Sequence, residues 1–276
     1  MRTTVEVARA GDRVRCVLRA GHLAPRVLAQ DHRGVSVALV ATGALLLGGD
    51  HVRVEVRVGD GVALELVETS GTVAYHGRGL ASSWSADVHV GRGASLVWDA
   101  LPFVVSDGAD VTRTTSLHVH DEGAALLRET LVLGRDGQRG GLLRSVTRAV
   151  VGGADLLVEE LDLTGPHTAP GVLGAARVVD SVLLAGTRAP LTADDEPRGV
   201  VVLDLHGPGA LARSVGTAAH VADAGPLVGA WRPTLPTTRS TEPPEPGRAD
   251  EHVPHDQHHP ATGPDDRSTP CMSPTT

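Results

Sequence analysis

Four segments of this sequence repeat one pattern, in which a strand-like run is followed by a turn that contains glycine and by a second strand-like run. The segments read VRVGDGVALEL, VHVGRGASLVW, VHDEGAALLRE and VVGGADLLVEE, with turn glycines at Gly61, Gly93, Gly123 and Gly153. Repeats of about 30 residues are typical of stacked units that bury their apolar faces only against their neighbours. The pattern predicts an all-β, solenoid-like body in which the strands stack into a superhelix.

A β-sandwich built of hairpins with similar spacing is the alternative. We favour the stack because the apolar residues after each turn keep the same register. In residues 52–58, four valines alternate with charged residues, which is the period of a strand with one buried face. Further strands are predicted at 62–67, 87–90, 116–120 and 199–206. Helical spacing predicts about two helices near the end of the domain, at 174–185 and 217–231.

The composition changes at residue 237. Residues 237–276 hold 8 of the 18 prolines, seven acidic residues against three arginines, and few aliphatic residues. Such a segment cannot bury enough apolar surface to offset the entropy cost of ordering it. The sequence therefore predicts a folded β domain over residues 1–236 and a disordered, acidic tail rich in proline and histidine over residues 237–276.

The chain contains no lysine, so all 25 basic residues are arginines. This absence excludes a Walker-type phosphate loop and a Schiff-base enzyme, because both chemistries need a lysine amine. A net charge of −8 and only five aromatic residues argue against a nucleic-acid partner. The longest uncharged run, about 15 residues that end at Gly49, is too short for a spanning helix, so no membrane contact is expected. Two cysteines cannot form a disulfide framework, and we expect a cytoplasmic protein.

Histidines supply two groups of candidate metal ligands. His118 and His120 lie two residues apart on a predicted strand and therefore share a face, but no third ligand is identifiable. A solvent-facing pair without a metal is the alternative. The tail would bind divalent metals only loosely, because a disordered segment fixes no geometry. Its candidate ligands are His252, His255, His258 and His259. The sequence contains no G-x-S-x-G motif, and no catalytic constellation is predicted.

Four further segments occur in a characteristic order: GALLLGGD at 43–50, ETSGTVAYHGRG at 68–79, ETLVLGRDGQRGG at 129–141 and LLVEELDL at 156–163. A tryptophan-containing strand at Trp98 and a closing W-x-P complete the series. In this order they resemble the UreD (UreH) family of urease accessory proteins over roughly residues 1–236. The residues that carry the motif are Gly48, Gly49, Asp50, Tyr75, Gly134, Arg135 and Trp231.

The resemblance implies a non-enzymatic scaffold that assists nickel insertion into apo-urease. The implied partners are apo-urease, a UreF-like protein and, through it, a UreG-like GTPase. No tightly bound cofactor is implied, and nickel would be bound only in transit, along an internal path lined by Asp50, Thr72, Glu129 and Glu159. For Asp50, which follows two glycines, an ordinary turn hydrogen bond is an equal alternative.

Two other interpretations of the whole chain stay open. One is a β-solenoid that has a structural or partner-binding role without a metal. The other is an enzyme with a metal site on the strand histidines.

Overall fold

Strands with alternating buried and exposed residues form most of the protein in the computed structural model, which describes residues 2–165, 172–190 and 199–236. Along His51–Val58 the four valines are buried and the polar residues between them face away from the core, because side chains of a strand alternate between its faces. The strands are β1 (Arg2–Ala10), β2 (Arg13–Arg19), β3 (Leu23–Gln30), β4 (Gly34–Ala41), β5 (His51–Val58), β6 (Ala63–Glu68), β7 (Thr72–Ala74), β8 (Ser82–Val90), β9 (Ser95–Asp99), β10 (Phe103–Val105), β11 (Asp110–Val119), β12 (Ala124–Leu133), β13 (Leu142–Val151), β14 (Ala154–Thr164), β15 (Val178–Ala185), β16 (Val200–Asp204) and β17 (Gly209–Gly216). The predicted strands at 52–58, 62–67, 87–90, 116–120 and 199–206 all coincide with strands of this series.

The strands form two sheets, and the chain alternates between them. The first sheet has the order β14-β13-β11-β8-β5-β1-β2, and the second runs β16-β17-β15-β12-β9-β6-β4-β3, with β10 and β7 paired beside β12. From β4 to β13, strands of successive coils pair in parallel within each sheet. Ala63, Ser95 and Ala124 therefore align across the second sheet. This confirms the solenoid-like stack of coils.

Antiparallel pairs close the parallel stack at both ends. β2 and β3 lie at the edges of the two sheets at one end, and β14 and the β15–β17–β16 group lie at the other. The main hydrophobic core lies between the sheets and contains most of the buried valines and leucines. A second core covers the opposite face of the second sheet, where Leu126, Val182 and Leu184 pack with Trp231 of the helix α1, Pro226–Trp231.

The turns that lead from the first sheet to the second confirm the repeat in part. Gly61 and Gly93 occupy equivalent positions with φ of 60° and 57°, a conformation that side-chain-bearing residues rarely adopt. In the third turn Glu122 holds this position with φ of 62°. Gly123 lies one residue later, where a Cβ would come within 2.4 Å of a carbonyl oxygen of the preceding coil. The fourth segment turns back within the first sheet as the β13–β14 hairpin, so Gly153 has no equivalent in the other turns.

The helix prediction over 174–185 is wrong, because Val178–Ala185 forms β15. This strand is paired on both sides and buried on both faces, so its apolar residues do not alternate with exposed ones and match a buried helix as well as a strand. The prediction over 217–231 is correct only for Pro226–Trp231, which continues into a 3₁₀ turn at Arg232–Thr234. The described chain thus has one short helical region rather than two.

No helix in the residues described is long and apolar enough to span a lipid bilayer. The predicted tail over 237–276 lies outside the described residues.

Candidate functional site

Three small cavities lie in a row between the two sheets. The largest has a volume of about 50 Å³ and the other two about 10 Å³ each. The first and second cavities share Arg113 and Glu129 in their walls, the second and third share Glu68 and Thr72, and Trp84 lines all three. By volume the largest cavity holds a few water molecules and each smaller one about one. The row is therefore a narrow space that brings several polar side chains into an otherwise apolar core.

Strand alternation places the polar side chains of this row inside the protein. On β12, Glu129 shares a face with Leu127 and Leu131, which pack into the core between the sheets. A carboxylate on such a face is costly to bury unless a cation or hydrogen-bond donors compensate it. The inward acids of this protein meet that requirement in two different ways.

Two of the acids form ion pairs that cross from one sheet to the other. Arg113 of the first sheet donates from Nε to Glu129 of the second, and its guanidinium lies 3.9 Å from the centre of the Trp84 ring. Glu159 of the first sheet accepts two hydrogen bonds from Arg213 of the second, at 2.7 and 2.6 Å. The first sheet supplies the arginine of one pair and the glutamate of the other. In each pair the arginine neutralises the carboxylate charge that is brought into the core.

Glu68 is compensated by uncharged donors. Its Oε1 accepts a hydrogen bond from Trp98 Nε1 and its Oε2 one from the backbone N–H of Leu101, both at 3.0 Å. Burial raises the pKa of the Glu68 carboxyl, and these two hydrogen bonds oppose that shift in part. Glu68 is not among the site residues predicted from the sequence. Its signal was the alternation along β6, where Leu64 and Leu66 face the core and Glu68 is next on the same face.

The structure brings together three of the four predicted path residues. Thr72 and Glu129 border one cavity, and Glu129 and Glu159 border the largest. Asp50 lies elsewhere, in the turn before β5, where its Oδ2 accepts the backbone N–H of Leu47 at 2.9 Å. The turn hydrogen bond expected as the alternative for Asp50 is therefore present.

The remaining motif residues build turns and packing. A Cβ on Gly48 would lie 2.3 Å from the carbonyl oxygen of Gly77, so the coils approach too closely for any side chain there. Gly49 has a φ of 88°, and Gly134 one of 80°. Among the motif residues with side chains, Arg135 and Tyr75 contact each other, with the guanidinium 5.0 Å from the ring centre. Trp231 is buried in the second core.

The two strand histidines have different neighbours. His118 lies on the exposed face of β11 and stacks on His89 of β8, with ring centres 4.8 Å apart. His120 follows the end of the strand, and its backbone N–H donates to the carbonyl of Val90. The four tail histidines lie outside the described residues.

Comparison with known proteins relates the chain to a family. The chain matches the family described as UreD urease accessory protein over residues 2–244. It is 47% identical over 204 residues to urease accessory protein UreD 1 of Streptomyces griseus, an alignment that covers 73% of this chain and 78% of the relative. It is 33% identical over 232 residues to UreD 1 of Saccharopolyspora erythraea, with coverage of 80% and 89%. The family match includes every strand that lines the three cavities.

Proposed function

Because the chain belongs to the UreD family of urease accessory proteins, we propose that it assists nickel insertion into apo-urease as a non-catalytic scaffold through which the ion passes. In this proposal the protein acts with a UreF-like protein and, through it, with a UreG-like GTPase that supplies the ion. The observation that carries the proposal is the row of three cavities, whose walls contain Glu68, Thr72, Glu129 and Glu159.

The chemistry of these walls suits a divalent ion in transit. Carboxylate and hydroxyl oxygens bind nickel more weakly than a closed set of imidazole or thiolate ligands would, so they hold the ion without trapping it. Arg113 and Arg213 form ion pairs with two of these carboxylates, Glu129 and Glu159, in the structure. An arriving cation competes with each guanidinium for the same oxygens, and the arginines then act as exchangeable counter-charges along the path.

The size of the cavities adds a second requirement. A space of about 10 Å³ admits about one water molecule and cannot admit an ion with a complete hydration shell. The ion must therefore exchange water for protein oxygens, or the wall side chains must move apart. Arg113 is placed to control this step, because it borders both the first and the second cavity.

Glu159 and its neighbour Glu160 provide a matched test. Glu159 faces the largest of the three cavities in the row, whereas Glu160 is half exposed and forms a surface pair with Arg144 at 2.8 Å. We expect Glu159→Gln to lower the nickel content of urease matured in its presence, with Glu160→Gln as a control that matches wild type. The measurement is nickel per urease active site after co-expression, together with retention of the UreF-like protein in a pull-down.

Normal nickel content with Glu159→Gln and with Glu129→Gln would contradict the path. Loss of the UreF-like protein, with nickel content reduced only in proportion, would instead favour a partner-binding role without a metal.

Asp50 needs a different substitution, since alanine would also remove its hydrogen bond to the Leu47 N–H. Asp50→Asn keeps an oxygen that can accept this bond but removes the charge. If Asp50 contributes to the path, the asparagine variant lowers the nickel content without a change in melting temperature. If it serves the turn alone, Asp50→Asn matches wild type and Asp50→Ala lowers stability by about 1 kcal/mol.

A further inference from the structure

A second group of ligand-type side chains lies on the exposed face of the first sheet, away from the cavities. Asp87 and His89 of β8 and His118 of β11 place one potential ligand atom each within 4.8 Å of the others. His89 Nε2 lies 3.1 Å from Asp87 Oδ1, and the two imidazole rings stack with an interplanar angle of 14°. We call these three residues the outer-face triad.

Register and alternation together create the triad. The parallel pairing of β8 with β11 sets His118 opposite His89 and Ser116 opposite Asp87. Residues two apart on a strand share a face, so Asp87 and His89 both point to the side on which His118 lies. All three positions belong to the parallel part of the stack, with a paired strand on each side.

The charges around the triad leave it accessible to a cation. On the β5 side, Arg57 stands opposite His89, but its guanidinium is bound to Glu55 at 2.6 Å. On the β13 side, Val150 stands opposite His118, and the nearby Arg148 is bound to Asp155 at 2.9 Å. The arginines on both sides therefore have carboxylate partners of their own.

We propose that the outer-face triad binds one divalent transition-metal ion of the borderline class that includes zinc, nickel and copper. Two imidazole nitrogens and one carboxylate oxygen are a donor set that these ions prefer. Ligand atoms of a tetrahedral site with bonds of about 2.1 Å lie about 3.4 Å apart, which rotation of the three partly exposed side chains can supply. A fourth position on the solvent side stays open to water or to a ligand from a partner.

This site is independent of the proposed function, since no residue of the triad borders the cavities. It also differs from the site expected on the sequence, because His118 combines with His89 rather than with His120.

The test uses the 276-residue chain in which His252, His255, His258, His259 and Cys271 are changed to alanine, so that these imidazoles and this thiol cannot bind the probe. Zinc binding is titrated by calorimetry in this background and in His89→Ala, His118→Ala and His120→Ala variants of it. We expect one zinc equivalent in the background. His89→Ala and His118→Ala should weaken its binding at least about tenfold, because even loss of an outer-shell partner has an effect of that size.

His120→Ala is the matched control, since His120 is exposed and only two residues from His118. It should bind zinc as the background does. Unchanged binding in both His89→Ala and His118→Ala would overturn the proposal, as would an equal loss in His120→Ala. Melting curves of each variant check the fold, and Asp87→Asn, which keeps the side-chain shape, should weaken binding with the fold unchanged.

Discussion

The second sheet has an arginine–carboxylate pair on each of its faces, and the two pairs differ in how many hydrogen-bond donors and how much empty space lie beside them. Arg128 and Glu129 are neighbours on β12 and point to opposite sides. On the side of α1, Arg128 binds Asp180, which is fully buried, and Asp180 also accepts hydrogen bonds from Thr130 and from the backbone N–H of Ala224, both at 2.7 Å. On the inner side, Glu129 binds Arg113 beside a cavity of about 50 Å³.

The difference separates a structural ion pair from an exchangeable one. Asp180 has both oxygens engaged by donors from β12 and from the segment before α1, and it fixes that segment onto the sheet. Glu129 has one guanidinium partner and a space beside it that is large enough for a few water molecules. Glu129 can therefore change partners, whereas Asp180 cannot do so without loss of structure.

The largest expected effect comes from breaking the saturated pair. Asp180→Ala removes the acceptor of Thr130 and of the Ala224 N–H, and it leaves Arg128 with Asp223 and Asp99 as its carboxylate partners. We expect a loss of about 3–5 kcal/mol in the free energy of unfolding, because two buried donors lose their partner and a buried ion pair is broken. The measurement is urea-induced unfolding followed by circular dichroism. Asp204→Ala is the control, because Asp204 forms a half-exposed surface pair with Arg188 and should change stability by less than about 1 kcal/mol. Equal effects of the two substitutions would contradict the structural role assigned to Asp180.

A smaller effect is expected for the inner pair. Glu129→Gln and Arg113→Gln should each cost about 2 kcal/mol, because water in the adjacent cavity can replace part of the lost interaction. The double variant should cost less than the sum of the two, since it leaves no unpaired charge. This cycle is measured by the same unfolding experiment. Single costs as large as that of Asp180→Ala would show that the cavity does not hydrate the pair and would remove the contrast between the two faces.

The architecture could be predicted from local patterns, whereas the contacts between strands could not. Alternation along β5 identifies its buried face without any knowledge of its neighbours. The meeting of His89 with His118 depends on an offset of 29 residues between β8 and β11. Alignment of Gly93 with Gly123 gives an offset of 30, which would set Val88 beside His118. Since a shift of one residue moves a side chain to the other face of the sheet, this small error hides the triad.

The helix predicted at 174–185 failed for a related reason. β15 lies between β12 and β17 and is buried on both faces, so its sequence lacks the alternation that identifies a half-exposed strand. Only the pairing partners distinguish it from a buried helix, and they are more than 20 residues away along the chain. The tertiary environment, not the local sequence, determines the structure of that segment.

The smallest expected effect concerns Glu68, the inner acid that has no arginine partner among its hydrogen bonds in the described chain. Burial raises the pKa of its carboxyl in the folded protein. The favourable contribution of the protonated form is therefore complete below the pKa of the unfolded chain, and it is lost as the pH rises through the higher pKa of the folded protein. Glu68→Gln removes this titration, so its stability relative to wild type should increase as the pH rises from about 4 toward neutrality. The difference is measured by urea unfolding of both proteins across that pH range. Glu65→Gln is the control on the same strand, because Glu65 lies on the opposite face, is partly exposed and pairs with Arg232. A difference that decreases with rising pH would mean that the hydrogen bonds from Trp98 and Leu101 outweigh the cost of burial, and Glu68 would then resemble Asp180 more than Glu129.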